Sequence, residues 1–87
     1  MTIDELKIEL GKIAAEEQGP DVDWAKVEAF SERTYVRLTT EPDTPQDFPH
    51  EDVIGFLAGF ARRRSDPRFA DLQHQWLQKY LRSGDLA

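Results

Sequence analysis

The sequence predicts an all-α protein, a four-helix orthogonal or up-down bundle. Three observations carry this prediction: apolar residues recur at steps of three and four, capping residues precede these stretches, and Pro or Gly residues separate them. A length of 87 residues suffices for a single helical domain, 1–87. Five Phe, two Trp and two Tyr residues predict an aromatic-rich core. The helices are expected near residues 3–18, 22–39, 49–64 and 67–82, with a long loop over 40–48.

The first helix has a clear start and stop. Thr2 and Glu5 stand at the spacing of a capping box, in which a Thr hydroxyl accepts a hydrogen bond from a backbone N–H of the first turn. Gly19 and Pro20 end the helix, because Pro cannot continue it. Between these signals runs one apolar stripe, made of Ile3, Leu6, Leu10 and Ile13.

The second helix has a less certain end. Asp21 or Asp23 is expected to cap its start, and apolar residues keep helical spacing as far as Leu38. Residues 34–40, however, are rich in β-branched and aromatic side chains, which alone would suit a strand. Since a single strand finds no partner elsewhere in the sequence, the segment is assigned to the helix, and the extended form stays open.

The third and fourth helices follow one another closely. Glu51 and Asp52, just after Pro49, suit the positive end of the dipole of the third helix, which is the most apolar segment of the chain. Asp66 caps the fourth helix, and Pro67 stands in its first turn. So short a connection favours an antiparallel hairpin.

Charge is distributed unevenly along the chain, whose formal net charge is −6. Residues 1–52 hold 14 acidic and 5 basic side chains, whereas residues 53–87 hold 3 acidic and 6 basic ones. An acidic chain repels the phosphate backbone, so general nucleic-acid binding is not expected. The simplest interpretation is that the two parts attract each other in the fold.

Several classes of chemistry have no support in the sequence. The absence of cysteine excludes disulfides and thiolate sites. The segment His50-Glu51-Asp52 lacks the second His, one helical turn away, that a zinc site would need. There is no nucleophile elbow and no glycine-rich phosphate loop. We therefore expect no enzyme, no metal and no cofactor.

No apolar run approaches the roughly 18 residues of a membrane span, and the first residues lack the pattern of a signal peptide. The expectation is a cytoplasmic protein of a bacterial type that does not bind membranes.

Two features of the third helix call for an explanation. Gly55 and Gly59 share one face, and each costs roughly 1 kcal/mol relative to Ala, so internal packing against Trp76 or Trp24 is expected, or a second chain. Residues 62–64 are three consecutive arginines, which point about 100° apart and so cannot all serve one structural purpose. They could stabilise the helix end and pair with the acidic first and second helices, or bind an acidic partner or a phosphate group.

The leading hypothesis is a non-enzymatic protein-interaction module that presents an acidic surface to a basic partner. An inhibitor, an antitoxin or an immunity-type protein would be a specific form of it. Surface carboxylates suit this task because they steer association with basic targets. The candidate partner-binding residues are Glu9, Glu16, Glu17, Asp43 and Asp47.

Two alternatives come from other classes. The first is a small structural homodimer that packs through helix three, so that the protein is either a monomer or a homodimer. The second is a ligand-binding domain with a pocket lined by Trp24, Tyr35, Trp76 or Tyr80.

Overall fold

A computed structural model describes residues 1–42 and 48–82 of the chain. Within these ranges every regular element is an α-helix and there is no strand, which confirms the all-α prediction. No helix in the described ranges is both long enough and apolar enough to cross a bilayer. The elements are α1 (Ile3–Glu17), α2 (Trp24–Thr40), α3 (His50–Ala58), α4 (Phe60–Ser65) and α5 (Pro67–Arg82).

Three helices begin at the residues whose side chains can satisfy a free backbone N–H. The hydroxyl of Thr2 accepts a hydrogen bond from the N–H of Glu5 at 3.1 Å. A carboxylate oxygen of Asp23 accepts from the third residue of α2 at 3.2 Å. Asp66 accepts from the third residue of α5 at 3.2 Å, with Pro67 in the first position. The predicted caps are therefore confirmed.

The strand-like end of α2 is helical. The hydroxyl of Thr39 donates a hydrogen bond to the carbonyl of Tyr35 at 3.0 Å, and that of Thr40 donates to the carbonyl of Val36 at 2.6 Å. Both hydroxyls are therefore satisfied within the helix. Thr34 lies one turn earlier and is buried. The α2 helix continues to its last turn because one side of it packs into the core, which outweighs intrinsic strand propensity.

The predicted third helix is divided at Gly59, so the described residues form five helices instead of four. The N–H of Gly59 bonds to Phe56 at 3.3 Å, a step of three residues. The carbonyl of Gly55, which a continuous helix would use, accepts from the side-chain amide of Gln73 at 3.4 Å. The N–H of Arg63 then bonds to the Gly59 carbonyl at 2.9 Å, and the α-helical pattern resumes.

The core is mainly aliphatic, which corrects the aromatic-rich expectation. Phe56 is the one aromatic residue in the buried set of the described chain. Trp76 and Tyr80 stack on each other 5.6 Å apart and only partly cover the core, while Tyr35 is 45% exposed. These larger rings lie at the margin of the core and are only partly buried. The buried apolar residues are Met1, Leu6, Leu10, Ile13, Val27, Leu38, Val53, Phe56, Leu57 and Leu77.

Contacts between helices place α2 at the centre of the arrangement. It packs against α1, α3 and α4, whereas α5 packs against α1 and α4. Two surfaces follow from this placement. One is a polar cluster where the end of α1 meets α4 and α5. The other is the line where α2 meets α3 and α4.

Candidate interaction surface

The carboxylates of α1 that the sequence nominated are largely engaged inside the protein. Glu9 is 12% exposed and accepts from Lys12 at 3.2 Å, with Arg33 at 3.5 Å from its other oxygen. Glu16 accepts a hydrogen bond from the backbone N–H of Asp23 at 3.3 Å. These contacts stabilise the packing of α1 and the start of α2, so they reduce the charge available to a partner.

The side chain of Glu17 is buried, contrary to the expectation that it is exposed. Its side chain is 1% exposed, and its two carboxylate oxygens accept from Nε and Nη2 of Arg63, each at 2.8 Å. The Nε2 atom of His74 lies 3.2 Å from the same carboxylate. Glu17 joins α1 to α4 and α5, and these contacts occupy its carboxylate. Asp43 and Asp47, the remaining candidates, lie outside the described residues.

Arg63 is the centre of this buried cluster. It is 2% exposed, and its Nη1 donates to the carbonyl of Phe56 and to Oε1 of Gln73, both at 2.6 Å. The guanidinium carbon lies 4.1 Å from the centroid of the Phe56 ring. A guanidinium can satisfy a carboxylate and two other acceptors at once because its five N–H groups form a planar fork. Lysine has no equivalent geometry.

The electrostatics of Glu17 are those of a structural ion pair. Burial raises the pKa of its carboxyl, but the hydrogen bonds from His74 and Arg63 outweigh burial and leave that pKa below its ordinary value. A carboxylate with a lowered pKa and both oxygens occupied is a poor general base. A cleft of about 450 Å³ lies beside the cluster and includes Trp24; Glu17 and Arg63 in its lining are paired with each other, whereas Asp71 makes no ion pair with a described residue. The cluster therefore holds the fold together.

A sequence signal for Glu17 exists. It stands four residues after Ile13 and so continues the apolar stripe of α1 into the protein. Arg63 likewise stands seven residues, two helical turns, after Phe56. A charged residue on a buried stripe indicates a buried partner of opposite charge. Glu17 and Arg63 are such partners for each other.

The ion pairs only partly follow the expected attraction between the acidic and the basic part of the chain. Within the described ranges, the contacts of Glu17 with Arg63 and His74 join the two parts. Most of the other pairs lie inside the acidic part, such as Arg37 with Glu5 at 3.1 Å and with Glu41 at 3.1 Å. The acidic N-terminal part therefore uses its own few cations to hold α1 against α2.

The exposed carboxylates without an ion pair lie elsewhere. In the part of the chain that the structure describes they are Asp4, Asp21, Asp23, Glu28, Glu32, Glu51, Asp52 and Asp71. Glu28 and Glu32 are distinctive because they stand one turn apart on α2 and share a face. Neither of them makes an ion pair with a described cation.

Glu28 and Glu32 border a groove that runs along α2, which we call the α2 groove. Three adjoining clefts of about 380, 450 and 460 Å³ form it, and they share Phe60, Tyr35 and Ile54 at their junctions. The α2 wall consists of Trp24, Ala25, Glu28, Ser31, Glu32, Tyr35, Val36, Leu38 and Thr39. The opposite wall consists mainly of Phe48, His50, Ile54, Leu57, Ala58, Phe60, Ala61 and Arg64.

The two glycines of the predicted third helix have different surroundings. A side-chain carbon on Gly59 would lie 2.8 Å from Oε1 of Gln73, 2.8 Å from the Gly55 carbonyl and 3.3 Å from Nη1 of Arg63. Gly59 therefore packs against Gln73 and Arg63 of the polar cluster and not against the ring of Trp76 or Trp24. A side-chain carbon on Gly55 would meet no atom of the described residues within 4 Å.

The three consecutive arginines have three different environments. Arg62 lies 4.0 Å from Asp66 and stacks over the Phe69 ring at 4.1 Å. Arg63 is the buried cation described above, whereas Arg64 is exposed and makes no ion pair with a described residue. This agrees with the argument that they cannot share one structural purpose.

Among the described residues, no group of three or more His, Asp or Glu side chains is placed to hold a metal ion. No protein-family model, curated protein or solved structure matches the chain. The case for a function rests on the geometry above.

Proposed function

We propose that this protein is a non-enzymatic interaction module that presents an acidic surface to a basic partner protein. The observation that carries the proposal is the pair Glu28 and Glu32, which are exposed beside an apolar groove and make no ion pair with any described residue. Unpaired surface carboxylates speed the encounter with a basic protein and favour it over acidic ones. An inhibitor, an antitoxin or an immunity-type protein is a specific form of this activity.

The scaffold in this proposal is an orthogonal or up-down bundle in which α3 and α4 together take the place of a third helix. The acidic surface lies on α2 in this proposal and not on α1, where the sequence had placed most of it. Glu9 and Glu17 hold the scaffold together, and their charge is matched within it. The paired state of the buried cluster supports a non-enzymatic role, because neither Glu17 nor Arg63 is free to act on a substrate.

The test is capture of partners from an extract of the source organism, at about 0.05 M and about 0.5 M salt. We expect basic proteins that are retained at low salt and released at high salt. The charge-reversal variant Glu28→Lys/Glu32→Lys should lose them. The matched reversal Asp4→Lys/Asp71→Lys, which changes two exposed carboxylates outside the groove, should retain them. Equal capture by both variants would contradict the proposal.

A structural homodimer that packs through α3 is the second candidate. Open space above Gly55 favours it, since a second backbone can approach closely where no side chain intervenes. Light scattering at micromolar concentration tests it directly. The dimer requires twice the chain mass of 10.0 kDa, and a monomer mass would remove this candidate.

A further inference from the structure

We propose that the α2 groove binds one amphipathic helix of the partner protein, whose apolar face enters the groove and whose Lys or Arg side chains, one turn apart, meet Glu28 and Glu32. This inference rests on the proposed function and deepens it, because it names the structural class of the partner segment and where it binds.

The shape of the groove fits a helix. The residues of α2 that line the groove recur at steps of three or four from Trp24 to Thr39. The groove therefore follows one face of α2 over nearly its whole length. A helix of 17 residues is about 25 Å long at 1.5 Å per residue. An occupant of four to five turns would lie between α2 on one side and α3 with α4 on the other. Such a groove with i, i+3 and i+4 anchors is a recurrent way to recognise helices.

The walls of the groove carry exposed apolar side chains on one side and small residues on the other. Tyr35 and Val36, which are 45% and 54% exposed, are two of the four large exposed apolar side chains in the described chain, and both line the groove. Ala58 and Ala61 on the opposite wall are exposed as well and leave space for a partner backbone. Contiguous exposed apolar residues inside a groove are typical of an interaction site, whereas isolated ones are ordinary.

The charges of the groove select a basic occupant. Glu28 and Glu32 stand on the α2 wall and make no ion pair with a described residue, whereas Arg64 on the opposite wall lines the same cleft as Glu28 at one end of the groove. Two cationic side chains one turn apart on an occupant would match the two carboxylates at the same helical spacing. The acidic wall repels phosphate, so a nucleic acid is not the occupant.

A second copy is also disfavoured as the occupant, because each copy carries a net charge of −6 and would bring like charge to the groove. Ser31 lines the floor of the groove at 1% exposure, and its buried hydroxyl has no hydrogen-bond partner among the described residues.

The probe is a labelled synthetic peptide of 18 residues with leucines along one helical face and lysines one turn apart along its edge. A second peptide keeps the apolar face and carries glutamate in place of each lysine. Fluorescence anisotropy measures binding of each to the full chain. We expect the lysine peptide to bind at micromolar concentration and the glutamate peptide to bind at least about tenfold more weakly.

Two pairs of variants separate charge from apolar contact. The double variant Glu28→Gln/Glu32→Gln should weaken the lysine peptide about 2- to 30-fold, the range for loss of two surface ion pairs. Its matched control, Asp4→Asn/Asp71→Asn, should change binding less than about twofold.

The apolar pair is Val36→Gln/Ala58→Gln, which keeps the net charge and should weaken binding about tenfold. Its control replaces two exposed apolar residues outside the groove, Ile8 at 58% and Leu72 at 66% exposure, by Gln. Circular dichroism confirms that each variant is folded, since all of these side chains are on the surface.

The outcomes separate this inference from the proposed function. Weakening by both test pairs and by neither control supports the groove. No peptide binding up to about 1 mM, or equal binding of the two peptides, overturns it. A dimer mass that Val36→Gln/Ala58→Gln abolishes overturns it in favour of a second copy. The groove inference fails and the proposed function stands if Val36→Gln/Ala58→Gln still captures the salt-sensitive basic partner and Glu28→Lys/Glu32→Lys loses it. If no salt-sensitive basic partner is captured at all, the proposed function fails.

Discussion

Replacement of Arg63 by Met is the most revealing change in the scaffold. Methionine keeps an unbranched side chain about as long as the aliphatic part of arginine but removes every donor. Glu17, at 1% exposure, would keep His74 alone as a partner. The Phe56 carbonyl and Oε1 of Gln73 would lose the donor that now lies 2.6 Å from each. The variant therefore leaves a buried carboxylate largely uncompensated.

The expected loss of stability is large relative to the total. Removal of one member of a buried ion pair costs about 3 to 5 kcal/mol, since the other charge stays in a medium that solvates it poorly. A domain of 87 residues has a free energy of unfolding of about 4 to 13 kcal/mol. At about 4 °C or more per kcal/mol, the melting temperature should fall by at least about 12 °C.

Urea unfolding followed by circular dichroism measures this loss. The exposed neighbour supplies the control, because Arg64→Met should change stability by less than about 0.5 kcal/mol. The double variant Glu17→Leu/Arg63→Met should be more stable than Arg63→Met, because it removes both charges together. A loss below about 1 kcal/mol for Arg63→Met, or a double variant as unstable as the sum of the single ones, would refute the cluster's structural role.

Three further predictions concern single residues of the scaffold. Because the pKa of Glu17 is lowered in the folded state, its stabilisation is present above its ordinary value of 4.5 and is lost as pH falls below it. Unfolding from about pH 5 to about pH 3 should therefore show a weaker pH dependence for Glu17→Gln than for the unaltered protein, and an unchanged slope would contradict this. Gly59→Ala should destabilise by about 1 to 3 kcal/mol, since the new methyl group would lie 2.8 Å from a backbone carbonyl, whereas Gly55→Ala should stabilise by about 0.5 to 1 kcal/mol in thermal melts. The hydroxyl of Thr34 is buried and has no hydrogen-bond partner among residues 1–42 and 48–82, so Thr34→Val should raise the free energy of unfolding by about 1 kcal/mol, and a lower value than that of the unaltered protein would disprove the unsatisfied hydroxyl.

The helical content followed from local signals. Thr2, Asp23 and Asp66 cap helices because the interaction spans only three residues, which a sequence displays directly. The assignment of residues 34–40 to α2 rested on the lack of any strand partner, which is an argument from the whole sequence. Local pattern and overall consistency agreed there.

The division at Gly59 was out of reach of such reasoning. It depends on Gln73, which donates to the Gly55 carbonyl from a different helix, and on Arg63, which occupies the carbonyl of Phe56. These contacts exist only once α5 has packed near α3 and α4. A glycine in an apolar helical pattern gives no sign of which side chain will later crowd it.

The candidate site, like the fold, could be predicted from the sequence only in part. The acidic character of the chain was visible in its composition, but exposure could not be read from it. Glu16 and Glu17 are adjacent in sequence, and only the helical phase of Glu17 distinguishes the buried residue from its neighbour. The α2 groove brings Glu28 and Glu32 beside Ile54 and Phe60, more than 20 residues away, so it arises from the tertiary fold alone.

The binding of a basic amphipathic helix in the α2 groove is most directly tested by nuclear magnetic resonance. The ¹⁵N-labelled protein would be titrated with the lysine peptide and its backbone amide shifts followed. The account predicts saturable shifts centred on Glu32, Val36 and Ala58, with none at Ile8 or Leu72. Shifts centred on Ile8 or Leu72, or no saturable shift at all, would contradict it.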